Sequence, residues 1–159
     1  MKSFFPSRTF EFHLNEHNPQ VWERLKNNTE RSNSLVSMIT NRKFIGTVEV
    51  GHFRLISSVK GKGALCIIEG NVLENSQVGI INIHVHKVFK VLIFILCLMP
   101  VIASLAAILQ GNVMLLLPTF LIILFMRYFF LVRMFNSISQ KALNDLGAIM
   151  WVIEFVKMD

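Results

Sequence analysis

The chain has 159 residues, enough for about one domain. Apolar residues make up 53% and charged residues 16%, against roughly 45–50% and about 25% in an ordinary soluble protein, an excess that means either a large core or a membrane segment. The formal net charge of +6 suits an anionic membrane surface or nucleic acid, and two cysteines, Cys66 and Cys97, are too few for a disulfide framework.

The first twenty residues hold Phe4 and Phe5 but no apolar h-region, and Glu11 and Glu16 stand among them; neither a signal peptide nor a transit peptide is expected. From Arg8 to Leu14 the pattern alternates, with Phe10, Phe12 and Leu14 on one side and Thr9, Glu11 and His13 on the other, which predicts a strand. Asn18-Pro19 is a cap residue followed by proline at the first helical position, so a helix should begin there and bury Val21, Trp22 and Leu25. It should end before Asn27-Asn28, with a polar loop over 27–33 and a short helical piece over 35–40.

Four β-type runs follow: Phe44 to Val50, Phe53 to Val59, Leu65 to Leu73 and Val78 to Val85. Gly51-His52, Lys60-Gly61-Lys62-Gly63 and Asn75-Ser76 divide them as turns, and connections this short predict an antiparallel meander. Lys60-Gly61-Lys62-Gly63 resembles a phosphate loop only superficially. That motif needs a longer glycine frame with Lys-Ser/Thr leading into a helix, and here a strand follows. His84 and His86 share one face of the last run and His52 lies in a turn, so these three are the candidate metal ligands, with Glu49 or Glu69 as a further donor. The competing reading is a polar strand face beside lipid headgroups, and no metal or other cofactor is required.

From Val91 to Met126 there is no charged residue. Two spans fit, about 89–109 and 113–132, each near 20 residues and so able to cross roughly 30 Å of hydrocarbon as a helix. About fourteen Leu, Ile, Val and Phe residues in the second span favour insertion by about 4–8 kcal/mol, while Arg127 opposes it by at most about 2.5–3.5 kcal/mol. Pro100 and Pro118 predict a mild kink in each helix, and Ala103, Ser104, Ala106 and Ala107 offer a small surface for close packing. The turn Gln110-Gly111-Asn112 has no basic residue, whereas Lys87 and Lys90 precede the hairpin and Arg127, Arg133 and Lys141 close it. By the positive-inside rule both termini are cytoplasmic. Lys60, Lys62, Lys87, Lys90, Arg127 and Arg133 form a candidate basic rim for anionic lipid headgroups, with Arg127 as an interfacial anchor.

After the second span, Phe135, Ile138, Ala142, Leu146, Ile149, Ile153 and Val156 recur at intervals of three and four, predicting an amphipathic helix over 134–159. Its few cations argue for packing on the sheet rather than lying on a membrane.

Together these features predict an α+β membrane protein: a two-helix transmembrane hairpin (87–133) inserted into a small cytoplasmic antiparallel β-meander domain flanked by helices, built from residues 1–86 and the C-terminal helix. The pattern Phe44-x-Gly46-x-Val48, Phe53-x-Leu55 and Ile68-x-Gly70-x-Val72, with a strand entering a helical hairpin, resembles small uncharacterised two-span bacterial membrane proteins over about residues 44–132. That resemblance implies an architecture and no activity. No nucleophile elbow, paired carboxylates or dense Arg/Lys-aromatic cluster points to catalysis or nucleic acid. The expected function is a non-enzymatic protein of the cell (inner) membrane whose cytoplasmic domain binds anionic lipid headgroups, a protein partner or another copy of itself. The alternatives are an oligomeric transport or channel component, and an anchored enzyme on a lipid-borne substrate that would need His84, His86 and an acid to converge.

Overall fold

Period-two alternation turns into strand pairing in the computed structural model, which describes residues 4–14, 19–36, 39–59, 63–72, 78–111 and 113–158. The strands are β1 (Ser7–Leu14), β2 (Thr29–Arg31), β3 (Phe44–Glu49), β4 (His52–Ser57), β5 (Cys66–Val72), β6 (Val78–Val85) and β7 (Val152–Met158). The helices are α1 (Pro19–Asn27), α2 (Lys87–Leu109), α3 (Leu116–Phe125) and α4 (Arg133–Met150). The result is an α+β fold with one seven-stranded mixed sheet in the order β2-β3-β4-β5-β6-β1-β7. β3 to β6 form the antiparallel meander, β1 and β7 extend it antiparallel, and only β2 runs parallel to its neighbour.

One face of the sheet carries the core. Phe10, Phe12 and Leu14 of β1, Phe53 and Leu55 of β4, Ile68 of β5, and Ile81, Ile83 and Val85 of β6 are buried against Val21 and Leu25 of α1 and against Phe135, Ile138, Ala142, Leu146, Ile149 and Met150 of α4. Burying one such side chain contributes about 1.5–3 kcal/mol, so α4 is held to the sheet by its whole apolar stripe. A smaller cluster on the opposite face joins Ile45, Ile56 and Ile67, which sit directly across from one another, with Leu35 and Ala64 against them.

Both α2 and the continuous helical rod Leu116–Met150 are long and apolar enough to cross a membrane, yet only 11% and 6% of their most apolar windows are buried. Core helices of a soluble domain would be mostly buried. The shielded positions of α2, among them Ile93, Cys97, Pro100, Ser104 and Ala107, recur every three or four residues along one side of the helix, and α2 packs against α3. Ala103 and Ala106 face outward. Pro118 falls in the first turn of α3, where helix N–H groups have no intrahelical acceptor, which removes the reason for a kink there.

Three expectations need correction. The C-terminal helix does not reach residue 159: it stops at Met150, Trp151 turns through the left-handed region (φ 52), and Ile153 and Val156 lie on β7, paired with β1. The spacing 149, 153, 156 fits a helix, but Val152-Ile153-Glu154-Phe155-Val156 is β-branched and aromatic, and the free edge of β1 offers it main-chain partners. Within the expected polar loop, residues 29–31 form β2. The described residues of the expected helical piece, Leu35, Val36, Ile39 and Thr40, are not helical. Helix continues past residue 132, where the expected second span ends, because a π-helical stretch, Met126–Val132, runs straight into α4. Asn18, Lys60, Gly61, Lys62, Asn75, Ser76 and Asn112, to which the sequence assigned a cap, basic rim positions and turns, lie outside the described residues.

Gly46 marks a close approach of two strand backbones. Its φ is +150, and a Cβ there would stand 2.1 Å from the Arg54 carbonyl oxygen. Backbone cannot step aside as a side chain can, so Gly46→Ala should destabilise the fold by about 2–3 kcal/mol. Denaturant titration followed by circular dichroism measures this, and an unchanged midpoint would show that β3 and β4 are not so closely apposed.

Candidate functional site: a cation–aromatic collar

The sheet meets the apolar helices through two short junctions. β6 ends at Val85, and His86 caps α2, its Nδ1 accepting the Val88 N–H at 3.1 Å. Across from it, the π-helical stretch joins α3 to α4 while Leu131 and Phe135 are buried and Phe89 and Met134 pack on the core. The Arg8 guanidinium donates to Asn136 Oδ1 at 2.9 Å, tying the start of β1 to α4.

Cations and aromatic rings converge at this level. Lys90 Nζ lies 5.7 Å from the centre of the Phe5 ring. The Arg127 guanidinium lies 5.2 Å from the Phe4 ring and 5.8 Å from Tyr128, and that of Arg133 lies 5.3 Å from Phe129. Phe129 in turn stacks on Phe125 at 5.0 Å. Each pairing is within the range of a cation–π attraction, about 0.5–1 kcal/mol at an exposed site. Of the six expected rim residues, Lys90, Arg127 and Arg133 thus take part in one collar at the base of the apolar helices, and Lys87 opens α2 one turn before Lys90. Phe4 and Phe5 were not expected in it.

On the sheet face turned away from α1 and α4, register sets the side chains in rows. One row is Ile45, Ile56, Ile67, His84 and Ser7; the next is Thr47, Arg54, Glu69, Asn82 and Thr9; a third is Glu49, His52, Asn71, Ile80 and Glu11. Arg54 Nε lies 2.9 Å from Glu69 Oε1, Thr9 Oγ1 donates to Asn82 Oδ1 at 2.9 Å, and His52 Nδ1 meets Asn71 Oδ1. His52 is therefore two rows and two strands from His84, and His86 has left the sheet to cap a helix. The three candidate metal ligands are separated, and among the described residues no three His, Cys, Asp or Glu side chains converge.

Local environment tunes what remains. Burial lowers the affinity of His84 for its proton; Glu69 opposes this, and Lys90, Arg54 and Lys87 reinforce it. His86 is lowered too, first by burial and then by Arg54 and His84, which keeps a lone pair on Nδ1 for the cap. Burial pushes the Cys66 thiol up to about 12, so it stays protonated and unreactive. Sequence reasoning missed one further feature, a cleft of about 1060 Å³ between α1 and the edge of β3; Trp22 is the only residue there whose type could have drawn notice.

Comparison with known proteins adds no relative: no family model matches the chain, and neither a curated protein nor a solved structure matches it.

The histidines make stability depend on pH with a definite sign. His84 binds a proton less readily folded than unfolded, so its contribution is complete above the ordinary imidazole value of about 6.5 and is lost as pH falls through the lower folded-state value. The wild-type protein should unfold more easily at about pH 5.5 than at about pH 8, and His84→Gln should reduce that difference. Identical pH profiles for the two proteins would assign the loss to other groups.

Proposed function

We propose that this chain is an integral protein of the cell membrane, anchored by the hairpin of α2 and α3. Its α+β domain rests on the cytoplasmic surface, where the collar binds anionic lipid headgroups. It acts as a binding module and not as an enzyme. The observation that carries this reading is the collar itself, Lys90, Arg127 and Arg133 set over aromatic rings where exposed apolar helix gives way to a folded sheet.

α2 has 23 residues, about 35 Å of helix against roughly 30 Å of hydrocarbon. Large side chains along it and α3, including Phe94, Leu117, Phe120 and Phe125, are exposed. Left in water they would cost about 25 cal/mol for each Å² of apolar surface; in acyl chains that cost disappears. Aromatic residues collect at such an interface because their rings are amphipathic, and Lys and Arg collect on its cytoplasmic side. A basic residue at an anionic surface contributes about 1 kcal/mol, so Lys87, Lys90, Arg127 and Arg133 together favour anionic headgroups by up to about 4 kcal/mol. The absence of basic residues in the turn Gln110-Gly111-Asn112 supports a hairpin tip on the opposite side of the bilayer.

Two measurements test this. The protein should remain in the pellet after alkaline carbonate washing, and an impermeant maleimide applied to intact cells should label Gly111→Cys but not Met158→Cys. Release into the soluble fraction, or labelling of both positions alike, would sink the anchoring. In nanodiscs of mixed lipid, the fourfold substitution of Lys87, Lys90, Arg127 and Arg133 by Gln should abolish enrichment of anionic lipid, with each single change lowering it about fivefold. An unchanged lipid profile would remove the headgroup role while leaving the anchoring intact.

A further inference from the structure

The pairing of β2 with β3 stops early. β2 covers Phe44, Ile45 and Gly46, and Ser32 adds one last bond, its N–H donating to the Gly46 carbonyl at 3.0 Å. β3 continues to Glu49, so among the described residues no strand pairs with Thr47, Val48 or Glu49 on that side. Main-chain groups alternate from one edge of a strand to the other. The Phe44 N–H reaches Asn28 O at 3.1 Å on the β2 side and the Gly46 carbonyl faces the same way. Val48, two residues on, therefore directs both its N–H and its C=O out of that edge. A strand edge with an open donor and acceptor is a template for another strand.

The cleft of about 1060 Å³ opens beside this edge. Trp22 of α1 forms its apolar wall, half-buried, with its ring 6.3 Å from that of Phe53. Val48 adds apolar surface from β3. The charges are segregated along the length. Lys26 lies toward the end of α1 that passes into β2, and Arg31 closes β2, while Glu49 stands at the far end of β3 and Glu23 one turn back along α1. Among the described residues neither Lys26 nor Arg31 is in an ion pair, whereas Arg42 is already committed, donating to Thr29 O at 2.6 Å with Glu30 at 3.5 Å.

We propose that this cleft takes an extended peptide segment of a partner protein, which adds as a strand to β3 where β2 leaves it. Val48 supplies the main-chain donor and acceptor, an apolar side chain of the peptide seats on Trp22, and the peptide is acidic at the end facing Lys26 and Arg31 and basic at the end facing Glu49. Helix and strand edge together form the groove, with affinity from the main chain and selectivity from alternate side chains. The cleft belongs to the sheet domain, so the inference is independent of how α2 and α3 are accommodated.

The test uses the full chain in nanodiscs and a fluorescein-labelled heptapeptide, Glu-Glu-Val-Thr-Val-Lys-Lys, blocked at both ends, with anisotropy as the readout. Binding should saturate below about 1 mM and weaken at least about tenfold when alternate amides of the peptide are N-methylated, which removes strand pairing and keeps every side chain. Val48→Pro should weaken it similarly, because that N–H is not part of the bonding to β4 and proline is tolerated at such an edge position. The surface pair Lys26→Glu with Arg31→Glu keeps the test open if the proline disturbs the sheet, and should also cost at least about tenfold. Absence of binding up to about 1 mM, equal binding of the N-methylated peptide, or wild-type binding by the Lys26/Arg31 double variant would each overturn the proposal.

Discussion

One residue, His86, separates the end of β6 from α2, and none separates the π-helical stretch from α4. Covalent continuity at both junctions leaves the sheet and the apolar helices no freedom to drift apart. The rod Leu116–Met150 extends roughly 50 Å, with its first part exposed and apolar and its last part buried along one stripe against the sheet. Because the same rod serves both environments, its change of surroundings must occur within a few residues, and Arg127 to Arg133 lie there. The collar is a consequence of that geometry. Phe4 and Phe5 join it because β1 starts at the same level, where Arg8 reaches Asn136.

The two ends of the chain close the sheet on each other. β1 lies between β6 and β7, so the N-terminal strand is sewn to the meander on one side and to the C-terminal strand on the other. The turn that makes this possible runs through Trp151 in a left-handed conformation, which costs an L-residue roughly 1–2 kcal/mol. The Arg24 guanidinium stands 3.5 Å over the centre of the Trp151 ring, and a contact of that kind returns about 0.5–1 kcal/mol at an exposed site. Burial of Ile149 and Met150 immediately before the turn helps hold α4 in place up to its last residue. Here α1, β7 and α4 support one another.

The polar face of the sheet shows how register redistributes residues that sequence places together. His84 and His86 are two apart and were read as a pair on one strand. The strand ends at Val85, so one becomes a row member beside the Arg54–Glu69 pair and the other a helix cap. The isoleucines behave in the opposite way. Ile45, Ile56 and Ile67 are 11 residues apart each time, nothing in the sequence links them, and pairing of three strands sets them side by side.

From residues alone, the alternation of Phe10, Phe12 and Leu14, the proline start of α1, the meander of β3 to β6 and two helices with no charged residue between Val91 and Met126 could be read, because each is a local periodicity or a block. The apolar stripe of α4 was equally legible. β2 was not: Thr29-Glu30-Arg31 pairs through its backbone, and backbone pairing leaves no mark on side-chain type. β7 was not legible either, because apolar spacing at 149, 153 and 156 fits a helical period, and the unfilled edge of β1 overrides it. The cations of the collar were visible as charges flanking a hydrophobic block, while the distant rings under two of them, Phe5 at Lys90 and Phe4 at Arg127, more than 80 positions away, were not. Sequence by itself determined what each segment prefers to bury, since that preference belongs to the side chains. Tertiary structure alone decided which edges, rings and charges meet, since long-range hydrogen bonds and contacts depend on where the folded chain brings distant residues.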